Sequence, residues 1–132
     1  MEEIRIHVEA EVNPTESEEK VKKTIERVFG NMQMQAQPSH KGSLMTADST
    51  NKEMLTKLHN ILRRERIRSA ARKVMLEGCD KRTITFFLNK QVAYAGQVSF
   101  SNEVAESPLG PIKVRIESSN PRELIDWLTR IE

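Results

Sequence analysis

Residues 4–12 read IRIHVEAEV, and the alternation is unbroken. Ile4, Ile6, Val8, Ala10 and Val12 fall on one side; Arg5, His7, Glu9 and Glu11 fall on the other. A period of two with one apolar face describes a strand that covers a core on one side and meets water on the other. A sheet made of such strands needs a second layer on one face only. IKVRIES at 112–118 repeats the pattern with Ile112, Val114 and Ile116 inward. RTITFFLN at 82–89 reads as a buried strand. NMQMQAQ at 31–37 alternates weakly, and SLMTA at 43–47 is expected as a second short strand in a hairpin. QVSF, ending at Phe100, reads as a further strand, and SNEVAESPLGP at 101–111 as a loop.

Between these runs the period changes to that of a helix. Thr15 with Glu18 has capping-box spacing, and Val21, Ile25, Val28 and Phe29 then face inward up to a stop at Gly30. Thr50 with Glu53 repeats the box ahead of Met54, Leu55, Leu58, Ile61 and Leu62. A second apolar stripe follows: Ile67, Ala70, Ala71, Val74 and Met75. At about 100° per residue the two stripes fall on nearly opposite sides of one wheel. Two helices with a corner at 63–66 satisfy both, ending at Gly78; a single long helix with different partners at its two ends is the alternative. KQVAYAG at 90–96 could extend a hairpin through Val92, Tyr94, Val98 and Phe100; the poor strand propensity of Lys, Gln and two Ala favours a short helical turn capped by Asn89 and closed by Gly96. Asn120, Pro121 and Glu123 start a last helix that buries Leu124, Ile125, Leu128 and Ile131, with Trp127 at its edge. The expected fold is α+β: a two-layer sandwich, with a mixed, mostly antiparallel sheet and helices on one face.

The chain of 132 residues fits one domain, 1–132, with 37% apolar and 30% charged residues. The single cysteine, Cys79, excludes an internal disulfide and a Cys-pair metal site. The acidic, alternating start is unlike a secretory signal, and no apolar run approaches the roughly 20 residues of a membrane span. A soluble, cytoplasmic protein is expected. His7, His40 and His59 lack ligand spacing, and no phosphate-loop, dinucleotide or zincin motif occurs, so neither a cofactor nor a metal is expected.

Charge is distributed unevenly. Residues 1–30 carry 5 basic and 8 acidic side chains, whereas residues 41–73 carry 9 and 3. RRERIRSAARK at 63–73 holds five Arg and one Lys against Glu65. A corner there would gather Arg63, Arg64 and Arg66, with Arg68, Arg72 and Lys73 along the next helix. Guanidinium forks suit phosphate oxygens. The plain alternative is that Arg63 and Arg64 complement a helix C-terminus and the rest are solvated. Of the six aromatics, Phe29, Phe86 and Phe100 read as core. Phe87 or Tyr94 could stack a base, although ordinary packing explains both.

NPTESEEKV, RRERIRSAARKVMLEG, TFFLNKQVAYAGQVSF and ESPLGPIKVRI together resemble an archaeal family of small proteins without an established activity. The family is labelled RNA-binding and is loosely linked to the exosome; its fold is similar to that of the large-subunit ribosomal protein that holds 5S RNA. The resemblance implies RNA as partner. It supports an RNA-binding module without catalysis, in which the six basic residues contact phosphates and Asn89, Lys90 and Gln91 address bases or sugars. The competing readings are an assembly module, such as a homodimer using the sheet face or edge, and a small enzyme with the arginines as a phosphate clamp.

Overall fold

The computed structural model describes residues 3–39, 42–101 and 110–130. His40 and Ile131, both assigned from the sequence, lie outside these, as does most of the 101–111 segment. Six strands and five helices are described: β1 (Arg5–Val12), α1 (Glu18–Phe29), β2 (Gln33–Ser39), β3 (Gly42–Ser49), α2 (Glu53–Arg64), α3 (Arg68–Glu77), β4 (Thr83–Asn89), α4 (Lys90–Tyr94), β5 (Phe100–Ser101), β6 (Pro111–Glu117) and α5 (Pro121–Thr129). The strands form one sheet in the order β2-β3-β1-β6-β4-β5. Every ladder is antiparallel, so the sheet is not mixed.

The register explains why one layer of helices suffices. Val8 lies opposite Ala47 on β3 and Val114 on β6, and Val114 lies opposite Phe86 on β4. Directly opposed residues share a sheet face, so these form one continuous apolar row. Ala10 with Met45, Ile112 and Leu88 forms the next. The helices cover these rows with Val21, Ile25, Val28 and Phe29 from α1, Leu55, Leu58, Ile61 and Leu62 from α2, Ala71 and Met75 from α3, and Leu124, Ile125 and Leu128 from α5. The other face is polar and uncovered. Its rows read Gln33, Asp48, His7, Arg115, Thr85, and then Gln35, Thr46, Glu9, Lys113, Phe87.

The two stripes at 54–75 do belong to two helices. The corner is a Schellman-type turn: Ile67 N–H donates to Leu62 O at 3.2 Å and Arg66 N–H to Arg63 O at 3.3 Å. Arg66 itself takes the left-handed conformation, φ 58°. An arginine thus stands where such a turn usually has glycine, and the corner carries no mark in the sequence. Ile67 packs against the core and starts the second stripe, while Ala70 stays exposed.

Both capping boxes give way to nearer groups. Ser17, not Thr15, caps α1 by accepting from Lys20 N–H at 3.1 Å. Asn51 Oδ1 accepts from Glu53 N–H at 3.0 Å at the start of α2, where Thr50 takes no part. The box at Asn120 and Glu123 forms as expected, with N–H to Oδ1 at 3.2 Å and Nδ2 to Oε2 at 3.1 Å. Asn89 Oδ1 accepts from Val92 N–H at 3.0 Å and caps α4. β4 is buried on one face only; Thr83, Thr85, Phe87 and Asn89 are half-buried. After α3, Gly78 runs against β4, with Thr85 N–H donating to Gly78 O at 3.0 Å. A Cβ on Gly78 would stand 1.9 Å from Thr85 O, so only glycine permits this junction.

A cationic aromatic pocket on the helical side

The basic residues of 63–73 do not form one patch, because α2 and α3 point them in different directions. Arg64 Nη2 donates to Gly96 O at 3.1 Å and lies 3.5 Å from Glu65 Oε2. Glu65 turns inward, where its Oε1 accepts from Val98 N–H at 3.4 Å. Arg72 is paired with Asp126 on α5. Lys73 and Arg66 are exposed. Arg68 Nη1 donates to Arg130 O at 2.7 Å, at the C-terminal end of α5 where the helix dipole favours a cation.

Arg63 and Arg68 nevertheless meet. With Arg130 they line a pocket of about 230 Å³ whose other walls are His59 and Trp127. Helix packing accounts for it: α5 lies beside both α2 and α3, so the C-terminal turn of one helix, the first turn of the next and the end of a third converge. His59 and Trp127 are stacked, with ring centroids 4.8 Å apart and planes 18° apart. Trp127 is 39% exposed, one of the two large hydrophobic side chains that reach solvent among the described residues. Among the described residues no carboxylate lines this pocket. The sequence reading missed His59, Trp127 and Arg130. The signal was present in part: a Trp at the edge of an otherwise apolar helix stripe, followed three residues later by Arg130.

Asn89, Lys90 and Gln91 lie elsewhere. Lys90 is 4% exposed; its Nζ donates to Glu11 O at 2.6 Å and to Glu16 Oε1 at 3.1 Å. Asn89 spends its side-chain oxygen on the α4 cap, and Gln91 is exposed. Burial pushes the Glu16 carboxyl up, but hydrogen bonds from the Asn13 backbone and side chain and the Lys90 ammonium outweigh it, holding it below its ordinary value of 4.5. Of the two stacking candidates, Tyr94 already carries Lys20 Nζ at 4.9 Å and the Arg27 guanidinium at 4.5 Å from its ring centre. Phe87 is half-buried on the open sheet face opposite Lys113.

On that open face His7 bridges two strands, with Nδ1 2.6 Å from Asp48 Oδ1 and Nε2 3.0 Å from Glu9 Oε1. Burial lowers its pKa, yet Asp48 and Glu9 together raise it above 6.5. Among the described residues no group of His, Cys, Asp and Glu is arranged to hold a metal ion, and no helix is long and apolar enough to cross a membrane.

These features define a class: an α+β sandwich with an open polar sheet face and a cationic aromatic pocket among its helices. A family model described as RNA binding matches residues 5–118. A UPF0201 protein of Sulfurisphaera tokodaii is 44% identical over 125 residues, spanning 95% of this chain and 86% of the relative. A UPF0201 protein of Aeropyrum pernix is 43% identical over 128 residues, spanning 95% and 84%. The 2.2 Å crystal structure of a UPF0201 protein from Methanococcus jannaschii superposes with a TM-score of 0.84 at 29% identity, covering 95% of this chain and 98% of that one. The chain belongs to the UPF0201 family. The expected likeness to the 5S-RNA-binding ribosomal protein is not supported by these comparisons.

Proposed function

We propose that the protein is a non-catalytic RNA-binding module that holds the phosphate backbone at the turn between α2 and α3. The observation that carries this reading is the convergence of Arg63, Arg68 and Arg130 on one pocket that no carboxylate lines among the described residues. The description of the matching family model supports RNA as the polyanion. Arg66 and Lys73, exposed and without a described side-chain partner, extend the cationic surface from the corner along α3. Arg64 and Arg72 are already engaged, and Lys90 is consumed by the fold, so the reading rests on fewer cations than the sequence suggested. Guanidinium groups near phosphate act through charge and forked hydrogen bonds, which position a backbone without reading bases.

The test is filter retention of RNA by the wild-type chain and by a double variant, Arg63→Glu with Arg66→Glu. Both side chains are exposed, so the fold should survive. Expected is salt-dependent retention by the wild type and a loss of at least tenfold in the variant, equal across RNA sequences. Equal retention by both proteins would remove the α2–α3 turn from the reading.

A second reading has its own observation. β2 is an edge strand in which every residue but Met34 is exposed, so a second copy of the chain could extend the sheet there. Pro38 blunts this edge, which favours the RNA reading over the assembly one.

A further inference from the structure

The arginine pocket has a neighbour. A second cavity of about 430 Å³ opens between α2 and α5, walled by Ile4, Leu55, Leu124 and Trp127. Lys52, Thr56 and Glu123 supply its polar rim. Among the described residues Trp127 is the one side chain that lines both cavities. We propose that Trp127 is a stacking platform for an unpaired nucleobase seated in this cavity while the adjoining phosphate lies among Arg63, Arg68 and Arg130, so that the protein selects single-stranded RNA. The inference rests on the RNA-backbone reading above and adds to it the class of RNA and the group that recognises it.

Three observations carry it. The cavity has the size of a small-molecule site, which runs from roughly 300 to 1,000 Å³, and it is mostly apolar with a few polar groups at the rim, as a flat heterocycle with hydrogen-bonding edges requires. His59 lies against the indole nearly parallel at 4.8 Å, which holds the ring in one orientation without filling the larger cavity. Arg63, Arg68 and Arg130 line the adjoining pocket and not this cavity. A base on an aromatic surface next to a cationic groove is how single strands are bound, because stacking needs an unpaired base and the backbone needs only charge. A paired base within a duplex cannot enter the cavity, so the duplex would engage the arginines alone. Lys52 and Thr56 can donate to ring nitrogens or carbonyls, and Glu123 can accept from an exocyclic amine.

Trp127 is the only tryptophan in the chain, so its emission reports the platform directly. The full-length protein is titrated with a single-stranded oligoribonucleotide and, separately, with the duplex of the same sequence, following indole fluorescence and filter retention together. Expected is quenching by the single strand with the same midpoint as retention, and little quenching by the duplex. Trp127→Ala should lower single-strand affinity by about tenfold, within the range set by stacking of one base, and lower duplex affinity far less. Trp127→Phe should retain most of the affinity. Salt-dependent retention with unmoved indole emission, and Trp127→Ala binding as the wild type, would overturn the platform and leave the backbone reading standing. Absence of any RNA retention would overturn both. If Trp127→Ala fails to fold, the emission of the native protein still decides.

Discussion

Arg66 is the residue at which stability and function separate most clearly. A left-handed conformation costs an L-residue roughly 1–2 kcal/mol, and glycine escapes most of it. The corner between α2 and α3 nevertheless carries an arginine at φ 58°. Its side chain is exposed and has no described partner, so nothing within the fold offsets the strain. Arg66→Gly should therefore raise the unfolding free energy by about 0.5–1 kcal/mol in a urea titration while weakening RNA retention. Glu16 is the opposite case, a charged residue kept for the fold. With side chains 8% and 4% exposed, Glu16 and Lys90 form a pair that either partner alone could not maintain. Glu16→Ala should cost about 3–5 kcal/mol by removing the carboxylate that balances the buried ammonium's charge. The sign of its pH effect follows from a folded pKa below 4.5: the stabilisation is present above 4.5 and is lost as pH falls through the folded value. Acid unfolding monitored by circular dichroism should thus begin at higher pH in any variant that removes the Asn13 side-chain hydrogen bond to Glu16, since that bond helps hold the carboxyl ionised.

At the scale of elements, β2 and the α2–α3 pair have different relations to the core. β2 carries Met34 against the helical layer but leaves Ala36 and Pro38 exposed on the same side. An edge with solvent on both faces is held mainly by its ladder to β3. If the assembly reading holds, light scattering should give a dimer whose mass is insensitive to salt, and Ala36→Lys should return it to a monomer. A monomeric wild type would end that reading and leave the RNA reading untouched. The α2–α3 pair was legible in the sequence as two stripes on opposite sides of one wheel, although its hinge was not. A Schellman turn is defined by backbone hydrogen bonds from 67 to 62 and from 66 to 63, and arginine leaves no sequence mark of it. The capping boxes misled for a related reason. Ser17 and Asn51, like Thr15 and Thr50, carry side-chain oxygens that can accept from a helix's first N–H groups, so the sequence alone does not choose between them.

Across the whole molecule the net charge of +2 conceals a division between faces. The open sheet face mixes Asp48, Glu9, His7, Lys113 and Arg115 in adjacent rows, so its charges offset one another. The helical face concentrates cations where α2, α3 and α5 meet. If about four phosphates are neutralised there, log affinity for single strands should fall against log salt with a slope of about −3. A slope near zero would show that retention is not electrostatic. The alternation of 4–12 and 112–118 was enough to determine a one-faced sheet, because a period of two leaves an apolar row only one place to go; 82–89, read as a buried strand, joins that sheet with one face open. The helical stripes likewise determined which residues of α1, α2 and α5 are buried. Both are local properties of the chain. The pocket is not local: His59, Arg63, Arg68, Trp127 and Arg130 come from three helices, and only their packing on the sheet decides that they meet. The same packing decides which cations remain for a ligand, since it pairs Arg72 with Asp126 and encloses Lys90 beside Glu16. Charge along a chain is a matter of composition, whereas a field at a surface depends on which side chains the fold has already used.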